Sequence, residues 1–373
     1  MYYICMKINN NIFLKEKIDE VIRTNQINTW VADLLSETCN YTDFFDKSKI
    51  SELVKQGYTE QEAMIDSFYD VFSLDRDDKE TKDILDEFCV KNLKCLGSSK
   101  YKKNEYTNTI KTTGKYGPYS LRIINYEPYQ TFPYDEISVT DDCKEYSKIG
   151  YFKEPFSYLA LCEGDNIWMS LNPNEIETME PFIDKAKGNV LVLGLGMGYV
   201  PFMMSLKSEV KHITIVERDQ NIINLFNKLL FPSFPHKDKI SIIKDDAIKY
   251  AQNNKKYDYK FADLWHNPED GLDLFIKLKA IDMGIDCWLE TSLIALLRRC
   301  MITLIEESLE GLDDNAYKHA RTATDRVINK YYQKTKNLII NNEDDLRKLL
   351  KEETLLALTY FSKKSYYSIN LNR

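Results

Sequence analysis

The run Val190-Leu-Val-Leu-Gly194-Leu-Gly196-Met-Gly198-Tyr199 constrains the fold of this chain more than any other segment. An uninterrupted apolar run of this length is that of a strand buried on both faces, and the glycines after it force a sharp turn. Glycine accepts left-handed backbone angles and lets a ligand approach the main chain closely, while a helix starting beyond the turn offers free N–H groups to it. The pattern predicts strand, ligand-binding turn, helix. A membrane span is excluded here, because the uncharged stretch 189–206 is shorter than the roughly 20 apolar residues required and is broken by glycines and Pro201. The dinucleotide fingerprint G-x-G-x-x-G/A needs a small residue where Tyr199 stands, and a G-x-x-x-x-G-K-[S/T] phosphate loop is absent.

Beyond the turn, two kinds of segment alternate. Apolar strand-length runs at His212–Val216, Lys239–Ile243 and Tyr259–Leu264 are separated by helical periodicity over 220–230 and 247–252. Strands alternating with short helices mean βαβ units, so residues 172–287 are expected to form a Rossmann-like parallel sheet with helices on both faces, an α/β fold. Asn172-Pro-Asn-Glu175 predicts the helix that leads into it, with Asn172 as N-cap, Pro173 at the first helical position and Glu175 reaching back to close a capping box. Residues 1–113 are expected to be a helical N-terminal region, 114–171 a small β-rich insert of short Tyr-, Ile- and Val-rich segments, and 288–373 a helical extension. Arg298-Arg299 inside that extension suggests buried or interface ion pairs.

In open parallel sheets a ligand sits at the carboxyl ends of the strands, and acids stand there in order. Glu217 comes after the second strand about twenty residues past the glycines, Asp246 stands about thirty further on beside Asp245, and Asp263, Trp265 and His266 end the fourth strand. Taken singly, Glu217 is a solvated charge, Asp246 a helix cap, Trp265 a packed aromatic and His266 either a base or a hydrogen-bonded structural residue. Their order and spacing make them one cleft. The net charge of -8 gives no global field for DNA or RNA. Eight scattered cysteines without a C-x-x-C pair and only four histidines leave no zinc spacing, and suggest a reduced, cytoplasmic protein.

The G-x-G-x-G spacing and the strand-end acids resemble class I S-adenosylmethionine-dependent methyltransferases over roughly Gly188 to Trp265. The resemblance implies S-adenosylmethionine as cofactor, held by Gly194, Gly196, Gly198, Glu217 on the ribose, Asp246 and Ala247 near the adenine, and Trp265. It implies Asp263 or His266 as the group that orients the acceptor or takes its proton, the acceptor being an unknown small molecule or protein. A methyltransferase is therefore the expected activity. Spermidine synthases share the fold, use the decarboxylated relative of that cofactor and place a small β-rich domain before the sheet. Like this chain, with Val192, they lack an acid two places before the first glycine. Their glycine loop carries an aspartate where this chain has Met197, which argues against that alternative. A third alternative is a binding module on the same fold. The helical ends suggest homo-oligomer contacts; neither bulk nucleic acid nor membrane is expected as a partner.

Overall fold

The computed structural model describes residues 6–253, 256–310 and 320–360. The chain divides into two compact units, one of Thr29–Ser138 and Tyr146–Asp263, the other of Met1–Asn28, Val139–Glu145 and Leu264–Arg373.

The first unit holds the glycine turn. Its antiparallel sheet includes β1 (Tyr119–Tyr126), β2 (Phe156–Glu163) and β3 (Asn166–Ser170), with β2 between the other two. The β2–β3 ladder slips between Ile167 and Met169, a bulge that re-aims the side chains after it. Helix α1 (Pro173–Lys185) comes next, and then the parallel strands β4 (Gly188–Leu193), β5 (Val210–Glu217), β6 (Ile240–Lys244) and β7 (Tyr259–Ala262) in spatial order β6-β5-β4-β7. Register pairs Val190 with both Ile213 and Tyr259, and Ile213 with Ile240. Val190, Leu191, Val192 and Leu193 are buried, because the central strand of a parallel sheet is covered on both faces. Helices α2 (Tyr199–Ser205) and α3 (Ala247–Asn253) pack on β5, as does the helix Gln220–Leu225, which continues into a π-turn over Phe226–Leu230. This is a Rossmann-like α/β fold. The strand order reverses between β4 and β7, the switch point at which such sheets open a crevice.

The second unit is helical. Pro268–Ile281, Glu290–Glu310, Ala323–Thr335 and Glu352–Tyr360 pack on one another. Lys7–Ile8 pairs in parallel with Ile339–Ile340, so the N-terminal segment folds with the C-terminal helices. Arg299 forms an ion pair with the buried Glu145, and Arg298 Nε donates to Leu350 O at 3.2 Å. Among the described residues, no helix is long and apolar enough to cross a membrane. Cys5 lies outside the described residues; the other seven cysteines form no disulfide.

Candidate active site at the switch point

The glycine turn is a strained backbone held by its neighbours. Gly194, Gly196 and Gly198 have φ of +103°, +48° and +75°, a region that residues with a Cβ enter only with strain. A Cβ on Gly198 would overlap the Phe226 ring, and one on Gly196 would overlap the Met169 thioether carried in by the bulged strand. Around the turn, Tyr106 is wholly buried and its hydroxyl donates to Met197 O at 2.5 Å. Its ring stands edge-on to Tyr199 at 5.6 Å and to Phe202 at 5.0 Å. Asn104 Nδ2 donates to the Tyr199 hydroxyl at 3.0 Å. None of Asn104, Tyr106 or Met169 carries a motif that sequence reading could have used.

Glu217 sits at the end of β5, half-buried. Its Oε2 accepts from Leu195 N at 3.2 Å and its Oε1 from Asp219 N at 2.8 Å, so the carboxylate ties the glycine turn to the loop after β5. A carboxylate has further lone pairs for a ligand's hydroxyls. Replacing Glu217 by Ala is expected to lower stability by ~1.5 to 3 kcal/mol through these charged hydrogen bonds. Affinity for a ligand whose hydroxyls Glu217 holds should fall at least tenfold; denaturation and calorimetric titration of the same variant measure the two effects separately. Asp246 is exposed and caps α3, its Oδ1 accepting from Lys249 N at 2.9 Å, with Ala247 half-buried as the first residue of that helix.

Asp263 is fixed beside the turn, because its N–H donates to Leu193 O at 2.9 Å where β7 runs along β4. No hydrogen bond or ion pair reaches its carboxyl group among the described residues, and burial pushes its pKa up to about 7. Its neighbour in charge is Glu175. The helix α1 has the expected N-cap, with Asn172 Oδ1 accepting from Glu175 N at 3.1 Å, but the Glu175 carboxylate does not close the box. It turns inward instead, 8% exposed and without a hydrogen-bonding partner among the described residues, and burial followed by the Asp263 charge raises its pKa well above the usual range. The residue had a signal in the sequence: Glu175, Met179 and Ile183 share one helical face, and the other two are buried apolar residues. Glu175 and Asp263 line a void of about 10 Å3 with Met169, Met197 and Tyr199, large enough for about one water. No lysine, arginine or histidine lines it.

His266 and Trp265 belong to the helical unit. His266 is exposed, with Nδ1 3.0 Å from Asp270 Oδ2, and its backbone N–H donates to the same carboxylate at the start of helix Pro268–Ile281. Trp265 is buried with its ring against Gly271, and its Nε1 has no hydrogen-bond partner among the described residues. Neither lines the void that Asp263 lines. Among the described residues, no group of His, Cys, Asp or Glu is arranged to hold a metal ion.

Residues 174–344, a little under half of the chain, match the family described as the spermine/spermidine synthase domain. Among solved structures, the chain is similar to a spermidine synthase from Thermotoga maritima, at 12% identity and a TM-score of 0.28 over 39% of this chain and 58% of that one. It is likewise similar to a spermidine synthase in complex with the transition state analogue AdoDATO, at 14% identity and a TM-score of 0.28 over 35% of this chain and 51% of that one. The chain thus spans little more than half of either protein. No curated protein matches it. The family match corrects two expectations. The matched domain is a transferase domain whose reaction is not methyl transfer, so the methyltransferase expectation falls. With it falls S-adenosylmethionine as cofactor, since spermidine synthases consume its decarboxylated relative as a substrate.

Proposed function

We propose that the chain is an aminopropyltransferase, moving the aminopropyl group of decarboxylated S-adenosylmethionine to an amine. The observation that carries this is Asp263: a strand-end carboxyl group without a partner among the described residues, beside the glycine turn, within the segment that matches the spermine/spermidine synthase domain. The residues suit such a donor. The turn has no Cβ at the positions a nucleoside would approach, Glu217 has lone pairs for its hydroxyls, and two carboxyl groups near the turn complement cationic groups. The Met169 side chain lies over Gly196, and its flexible thioether is the part that must move for a ligand to enter.

In the reaction the amine's lone pair attacks the carbon bonded to the sulfonium. The C–N bond forms as the C–S bond breaks, its electron pair returns to sulfur, and the nitrogen loses a proton to the Asp263 carboxylate. Rate comes from in-line positioning and from a base whose pKa lies close to neutrality. The base must be ionised to act. Turnover at saturating donor should therefore rise with pH through about 7, the value to which Asp263 is raised, and a pH–rate profile checks this. A rate that is flat from about pH 5 to 8 contradicts the assignment.

A further inference from the structure

A buried carboxyl group and a half-buried one that line a common void with no cation among its described residues are not a stable arrangement by themselves. An unpaired buried charge is strongly unfavourable, and like charges in one void raise the penalty. Glu175 and Asp263 share such a void, and the atoms completing its lining are apolar side chains, glycine backbone, the Met169 and Met197 thioethers and Tyr199. The void has room for about one water, a size that also suits a primary ammonium group. Glu175 is nine-tenths buried, unpartnered among the described residues, and fixed by the Asn172 cap of its own helix. At position 197, in the glycine turn itself, the side chain is an uncharged thioether that can attract no ammonium.

We propose that Glu175, projecting from α1 under the glycine turn, is the specificity residue of this site and takes a primary ammonium group as its counter-ion, with Asp263 as the second wall. The proposal rests on the aminopropyl-transfer reading and adds to it where the charged end of the ligand is read: on the helix before the sheet rather than on the turn. The ammonium could belong to the aminopropyl donor or to the acceptor amine. Its source is a matter for experiment; its chemistry is the same.

The test is a thermal-shift titration of the full chain and of E175Q with three probes taken singly: decarboxylated S-adenosylmethionine, diaminobutane and the uncharged butanediol. The wild type should be stabilised by the donor, by the diamine or by both, and not by the diol. E175Q should bind the effective probe at least tenfold more weakly while melting no lower than the wild type without ligand, since it is isosteric and replaces a carboxyl group that has no partner among the described residues. Stabilisation by the donor alone assigns the ammonium to the donor, and by the diamine alone to the acceptor. Equal affinity in E175Q, or no stabilisation by either amine, overturns the proposal. Steady-state kinetics separate it from the underlying reading: transfer with an unchanged KM in E175Q removes the role of Glu175 and leaves the transferase, whereas Glu175-dependent binding without alkylated product does the reverse.

Discussion

Asp263→Asn is expected to reduce the rate of aminopropyl transfer at saturating donor by about 10²- to 10⁴-fold, the usual contribution of a positioned proton acceptor. The amide keeps the shape of the carboxyl group and its backbone hydrogen bond to Leu193, but cannot take the proton from nitrogen. The same substitution has a signature in stability. Burial raises the folded-state pKa of Asp263 above its unfolded value, so the group favours the folded state fully below the unfolded pKa, and this contribution is lost as pH rises towards about 7. The wild type should consequently lose melting temperature between about pH 4 and pH 7, and the loss should be smaller in the variant. A variant with full turnover, or with an unaltered pH dependence of melting, would show that Asp263 is neither the base nor a strained charge.

Gly198→Ala should be among the most destabilising single substitutions in the sheet unit, by roughly 2 to 5 kcal/mol. Of this, about 1 to 2 arises from placing alanine at a left-handed φ of +75° and about 1 to 3 from the overlap of its Cβ with the Phe226 ring. Phe226 cannot retreat easily, since it is wholly buried and packs edge-on against Phe234 at 5.1 Å. Gly164→Ala is the control. Gly164 has a similar φ of +60°, yet a Cβ there meets nothing within 4 Å, so only the conformational part should appear. Chemical denaturation of both variants measures the difference. Equal losses would mean that the turn is not clamped by the aromatic cluster.

The parallel sheet was legible because its information is local. A buried central strand needs an unbroken apolar run, which Val190–Leu193 is, and the turn after it needs glycine at each left-handed position. Asn172 and Pro173 were legible for the same reason, as caps act within one helical turn. Glu175 was misread because a capping box and an inward-facing acid have the same sequence. What separates them is the placement of Asp263, brought close by a strand some ninety residues away. His266 and Trp265 come directly after Asp263 and Leu264 in the chain, but the helix start at Pro268 holds His266 on Asp270 and Gly271 receives the Trp265 ring. The pairing of Lys7–Ile8 with Ile339–Ile340 spans nearly the whole chain and leaves no local trace in either segment. Activity was the least legible part. Glycine spacing and strand-end acids read alike for a methyl donor and an aminopropyl donor, and the proposed reading separates the two through side chains such as Glu175 and Met197 that no short motif contains.

The most direct test of the central claim is product analysis. The protein is incubated with decarboxylated S-adenosylmethionine and a diamine, and in parallel with S-adenosylmethionine and the same diamine, and both nucleoside and amine products are quantified by mass spectrometry. Aminopropyl transfer predicts methylthioadenosine and an aminopropylated diamine in equal amounts in the first reaction, both lost in Asp263→Asn, and no methylated amine in the second. Methylated amine together with S-adenosylhomocysteine, or no alkylated product from the decarboxylated donor across a panel of amines, would contradict it.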